Sequence, residues 1–158
     1  NSIKKKMRSL PKQQRFHVLF TAHSLPIETI KAGDPYDFQV QETAALIARH
    51  LQLSDQQWSF CYQSIGRRPG QWLEPDTDSF LPKLKDQGEK VVIICPVCFV
   101  SDHSETLYDL DIEAKDLSDQ LNIKLIRAKA LQEDKHYITM LSDLVQNKAK
   151  HFLSSSLT

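Results

Sequence analysis

Four short apolar runs, each followed by a segment of helical periodicity, constrain this chain of 158 residues more than any other feature. The runs are Phe16–Ala22 (FHVLFTA), Trp58–Gln63 (WSFCYQ), Val91–Cys95 (VVIIC) and Lys124–Arg127 (KLIR). Between and after them the spacing predicts helices over Phe38–Leu51, Thr77–Gln87, Glu105–Leu121 and Lys135–Phe152. In the first helix Val40, Ala44, Ile47, Ala48 and Leu51 fall on one face. Strands that alternate with helices of this length mean βαβ units and a parallel sheet. The unbroken apolarity of VVIIC marks a central strand covered on both faces. Asp34-Pro35 precedes the first helix, Asp76 or Thr77 can cap the second, Gly88 closes it, and Ser101 or Ser104 can cap the third. The expected fold is a three-layer α/β/α domain with a four-stranded parallel sheet in the order 2-1-3-4, the order that right-handed crossovers give a doubly wound sheet.

Composition narrows the class. A hydrophobic fraction of 41% with 25% charged residues is ordinary for a globular domain. Twenty basic residues balance 20 acidic ones, which argues against a nucleic-acid partner. The longest apolar stretch, Val91 to Val100, is broken by Pro96 and falls short of the ~20 residues a spanning helix needs. No leader of the secretory type opens the chain. Three cysteines are an odd count for a disulfide scaffold, so the expected compartment is reducing and cytoplasmic, with peripheral membrane contact left open. Lys4, Lys5, Lys6, Arg8, Lys12 and Arg15 precede the first acid, Glu28, and suit a solvated helix end. The expected layout is a basic end of a preceding helix or linker over 1–15, a domain over 16–152 and a frayed tail over 153–158. The chain opens on Asn1 rather than Met, which suggests part of a longer protein.

In open α/β sheets ligands bind beyond the carboxyl ends of the strands where the order reverses, here between strands 1 and 3. His23 lies in the loop after strand 1, and His103 and Glu105 lie in and beyond the loop after strand 3. Either histidine alone reads as structural; their convergence on one crevice points to chemistry. Glu105, Asp109, Glu113 and Asp116 follow at helical spacing and form an acidic stripe, read either as a solvated face or as a carboxylate track for a cation or protons. Cys95 and Cys98 form C-x-x-C, but the fourth position of a zinc knuckle is Tyr108 and Cys95 ends a buried strand. Both are expected to be small core side chains rather than a redox or zinc pair. The loop after strand 2 holds Ser64, Arg67, Arg68 and Trp72, a combination suited to a planar, carboxylate-bearing ligand.

Five motifs extend this reading. Phe20-Thr-Ala-His23-Ser-Leu-Pro26, Gly33-Asp-Pro-Tyr36, Tyr62-Gln-Ser64, Trp72-Leu-x-Pro75-x-Thr77-Asp78 and Ser101-Asp-His-Ser-Glu-Thr-Leu-Tyr108 occur in order. From about Phe16 to Val145 the chain resembles the C-terminal half of the ferrochelatases. The resemblance implies two similar α/β domains around a porphyrin cleft and insertion of ferrous iron without redox change. It implies catalytic roles for His23, Glu105 and His103, with metal contacts at His23, Glu105, Asp109 and Glu113. Ser64 and Trp72 then match positions on the porphyrin wall, and Trp72 with Leu73 should leave apolar surface open. The implied partners are a porphyrin (protoporphyrin IX or coproporphyrin III), ferrous iron as substrate and an absent N-terminal chelatase domain. No permanently bound cofactor is implied, and without a cysteine-rich tail after Phe152 an iron–sulfur cluster is not expected. Asp109 stands where many members have Glu, and the loop from Ser64 to Trp72 is one residue longer than usual, with Ile65 where Lys or Arg is common.

Metallation needs a base that titrates near neutrality and weak, exchangeable metal ligands, and histidine with carboxylates supplies both. Two alternatives stay open at this point: a half-size chelatase acting as a homodimer, and a haem- or metal-binding module without turnover.

Overall fold

The computed structural model describes residues 2–66 and 69–155. The strands are β1 (His17–His23), β2 (Trp58–Gln63), β3 (Val91–Pro96) and β4 (Lys124–Arg127). They form one parallel sheet in the order β2-β1-β3-β4, as the alternation predicts. Each sits where β-branched and aromatic residues cluster, and β1 and β3 carry almost wholly buried runs because helices cover both their faces.

The helices are α1 (Ser2–Ser9), α2 (Ile27–Lys31), α3 (Tyr36–Leu51), α4 (Thr77–Asp86), α5 (Ser104–Tyr108), α6 (Ala114–Gln120) and α7 (Lys135–Ser155). Between α5 and α6 runs a π-helical turn, Asp109–Glu113. The sequence pattern predicts one continuous helix here; the wider turn interrupts it. Alternation of side chains along the strands divides the core in two. Val18, Phe20 and Ile93 face α1 and α3, meeting Ile3, Ala44 and Ala48. Leu19, Val92 and Ile94 face the other way and meet Leu81 and Leu84 of α4, Leu110 of the π turn and Ala114 of α6. The first part of the basic arm, Ser2–Ser9, is helical, and its Ile3 packs in the core of this domain.

Asp76 caps α4 by accepting the Ser79 N–H at 2.9 Å. α7 runs to Ser155, past the expected boundary at 152, while residues 156–158 of the predicted tail lie outside the described residues. Among the described residues no helix is long and apolar enough to cross a membrane. Apart from half-buried Tyr137, every α7 side chain described is exposed, including Ile138, Leu141, Val145 and Phe152 along one stripe. Trp72 and Leu73 are half-buried instead of open as expected, because their loop is laced to the loop after β1 through Leu73 N–H to Leu25 C=O at 2.9 Å.

At the amino end of the sheet His17 is 3% exposed and hydrogen-bonded through Nε2 to Ser59 Oγ at 2.6 Å. Burial pushes its pKa below the ordinary 6.5, and the Glu89 charge offsets this only in part. The unfolded chain then takes up this proton first, so folding stability falls as pH drops below about 6.5, by at most about 1.4 kcal/mol per pH unit. Thermal midpoints measured from pH 7 to 5.5 should decline, and His17→Gln should flatten the decline. An equal slope in both proteins would contradict this account.

Candidate active site

The crevice lies at the carboxyl ends of β1, β2 and β3. His23 ends β1 and pairs in register with Gln63 at the end of β2. The loop after β3 is tied back to β1 by Val97 N–H donating to Thr21 C=O at 2.8 Å. Parallel neighbours thus deliver His23 and, through α5, Glu105 to the same place, although 82 positions separate them in the chain.

The His23 ring is fixed at both nitrogens. Nδ1 lies 2.5 Å from the Ser24 carbonyl oxygen, which can only accept, so Nδ1 carries a hydrogen. Nε2 faces Glu105 Oε1 at 3.2 Å. With Nδ1 protonated, a neutral ring presents a lone pair at Nε2, and a carboxylate presents only lone pairs to it. The contact is attractive only when a positive charge, a proton or a cation, sits between the two atoms. Ser24 itself is fully buried, donating its N–H to Gln63 C=O at 2.7 Å and its hydroxyl to Leu73 C=O at 2.8 Å. The carbonyl that orients the imidazole is therefore anchored to the rest of the crevice.

Two further residues hold the His23 peptide. The Tyr36 hydroxyl donates to the His23 carbonyl at 2.8 Å, and the His23 N–H points at Cys98 Sγ at 3.2 Å. Gly33-Asp-Pro-Tyr36 is thus a motif that reaches the site from the start of α3. Cys95 is half-buried at the end of β3, packed against the core, and its thiol is pushed up to about 12, chiefly by burial. Cys98 is half-buried and sits behind the histidine backbone, so it is not simply a core side chain. Its thiol is also raised, chiefly by burial.

A cavity of about 520 Å³ opens beside this pair, with His23, Ser64, Glu105, Asp109 and Glu113 among its lining residues. The π turn matters here. Four residues of α-helix overshoot one full turn by about 40°. A π turn holds more residues and undershoots, so successive steps from Glu105 to Asp109 to Glu113 do not spiral away. Asp116, one step on in α6, is not among the lining residues. Ser64, held at φ 60, donates its hydroxyl to Asp109 across the cavity.

Asp76 and Asp78 also line the cavity, from the amino end of α4. Their position in a cap-like sequence concealed this; only the topology brings that helix end to face the π turn. Burial, followed by the nearby Asp76 and Asp109 charges, lifts the Asp78 carboxyl above its ordinary range. Among the described lining residues there is no Lys or Arg, and that described lining is strongly acidic apart from His23. Arg67 and Arg68, singled out in the sequence, lie outside the described residues.

Two predicted site residues stand apart. His103 Nε2 is 2.9 Å from Thr106 Oγ1, and its ring packs edge-on against Phe99, with centroids 4.6 Å apart. Phe99 also packs edge-on against His23, at 6.3 Å, and His103 is not among the cavity-lining residues. Trp72 is not among them either; its indole lies against Gly66, where an added Cβ would collide with the ring. Among the described residues no group of three or more His, Cys, Asp or Glu side chains is arranged to hold a metal ion.

A ferrochelatase family model matches residues 1–149. A ferrochelatase of Deinococcus radiodurans is 43% identical over 145 residues, covering 90% of this chain and 46% of that protein. A ferrochelatase of Thermus thermophilus is 44% identical over 128 residues, covering 81% and 40%, and one of the Wolbachia of Drosophila simulans is 44% identical over 151 residues, covering 93% and 45%. The chain thus spans somewhat under half the length of these relatives. With the match running through both the His23 loop and the acidic π turn, the chain belongs to the ferrochelatase family.

Proposed function

We propose that this chain forms the metal-handling wall of a ferrochelatase, inserting ferrous iron into a porphyrin while two pyrrole protons leave and no oxidation state changes. The observation that carries this reading is the His23–Glu105 pair, oriented by Ser24 and opening on an acidic cavity. Ferrous iron is attracted by the carboxylates and exchanges along Glu113, Asp109 and Glu105, which bind too loosely to trap it. His23 Nε2 takes a pyrrole proton, and Glu105 stabilises the imidazolium that results and passes the proton towards the acidic line. Ser64 sets the orientation of Asp109. Trp72 supports the porphyrin wall through Gly66, and His103 supports His23 through the shared Phe99. The substrate is protoporphyrin IX or coproporphyrin III.

The length of the relatives, of which this chain spans somewhat under half, supports a second wall from another domain. The exposed apolar stripe of α7 supports the same partner, since a face of this kind marks a buried contact. The partner is the other chelatase half. Localisation in the cytoplasm fits this function, and peripheral membrane contact is compatible with it.

Steady-state metallation in the intact protein, varying iron and porphyrin separately, tests the roles. His23→Ala should lower kcat by roughly 10²–10⁴ with little change in folding. Glu105→Gln should rank next, while Asp109→Ala and Glu113→Ala should mainly raise the apparent KM for ferrous iron. Wild-type kcat in His23→Ala would remove the base from this histidine. Separately, the chain on its own should metallate porphyrin far more slowly than the intact protein. A comparable rate from a sedimenting dimer would replace the two-domain reading with a homodimer.

A further inference from the structure

Arg127 ends β4 and reaches across the top of the sheet to grip the acidic segment at two points. Its Nη1 donates to Asp102 Oδ1 at 2.7 Å. Its Nε and Nη2 fork onto Asp111, at 2.6 Å to Oδ1 and 2.9 Å to Oδ2. The arginine side chain is 13% exposed and Asp102 17%, so the contact with Asp102 is largely shielded from solvent. Asp102 directly precedes His103 and the start of α5. Asp111 is the middle residue of the π turn, between Asp109 and Glu113. The three cavity acids Glu105, Asp109 and Glu113 therefore lie on a stretch of chain pinned just before its start and within its turn.

We infer that Arg127 is a positioning residue: by clamping Asp102 and Asp111 it holds the π turn in the register that keeps Asp109 and Glu113 on the cavity. The inference takes the iron-handling role of those acids from the proposed function, but the clamp itself stands on geometry alone. A π turn is an uncommon, less regular arrangement that needs outside contacts to persist. A bidentate guanidinium–carboxylate pair is among the strongest and most directional contacts available, and a lysine cannot reproduce its fork. The clamp also neutralises two carboxylates that point away from the cavity, so the acids left unpaired by it are those that line the crevice.

The test uses Arg127→Gln, Arg127→Lys and Asp111→Asn in the intact protein, with two independent readouts. Hydrogen exchange should accelerate at least about tenfold at the amides of 109–113 in all three variants while the β1 and β3 amides stay protected. Metallation kinetics should show the apparent KM for ferrous iron raised at least about fivefold with the porphyrin KM unchanged, a split that a general loss of stability does not produce. Full recovery in Arg127→Lys would overturn the inference, since charge alone would then suffice. So would unchanged exchange over 109–113, or acceleration spread evenly over the sheet. If exchange changes as expected but ferrous iron is not a substrate of the wild-type protein, the clamp stands and the proposed function fails.

Discussion

The contact on which the crevice depends is the one between the His23 ring and the Ser24 carbonyl. It decides which nitrogen carries a hydrogen, and so decides that Nε2 meets Glu105 with a lone pair to fill. Reverse the ring and Nε2 would no longer face the carboxylate; the cavity acids would then have no basic group to work with. The contact is costly to rearrange because Ser24 is fully buried and bonded to both Gln63 and Leu73. Breaking that anchor would leave buried polar groups unpaired, at about 1–3 kcal/mol each. Tyr36 and Cys98 hold the same peptide from the other side.

The sheet order makes this arrangement reachable. With β1 between β2 and β3, the loop after β1 abuts the loop after β3, and β2 brings Ser64 to the opposite side of the cavity. The carboxylates then gather from two helices: Asp76 and Asp78 from the start of α4, and Glu105, Asp109 and Glu113 from α5 and the π turn. Like charges held this close oppose folding, and at Asp78 they add to burial, the larger cause, in lifting the carboxyl above its ordinary range. The large apolar core on both faces of the sheet tolerates that cost. A conspicuous acidic pocket in an otherwise charge-balanced chain is consistent with the proposed reception of a divalent cation.

Much of the fold was legible because its signals are local. VVIIC, KLIR and the helical spacings report burial directly, and handedness leaves little freedom in how such units are ordered. His23 and Glu105 were legible as neighbours for the same reason, since topology alone places strand ends. The π turn was not: i,i+4 spacing of acids looks the same whether the backbone is α-helical or wider, and only the packing of Leu110 and Ala114 with the Arg127 contacts distinguishes them. Asp78 was hidden in a helix-start pattern, and the separation of His103 from the cavity depends on where the Phe99 ring packs, which no spacing encodes. The open apolar surface expected at Trp72 from a missing facing wall is half-buried instead, because Gly66 makes room for the ring to pack against its own loop, a contact no spacing encodes.

Nitrogen-15 NMR of the His23 ring, followed while a diamagnetic divalent ion such as Zn²⁺ is added in place of iron, bears most directly on the central claim. The account predicts that Nδ1 keeps its hydrogen and its bond to Ser24 throughout, while the Nε2 resonance alone moves as the ion occupies the place between it and Glu105. Glu105→Gln should weaken that response. A ring that loses the Nδ1 hydrogen, or that binds the ion through Nδ1 while Nε2 is unaffected, would contradict the orientation on which the proposed chemistry rests.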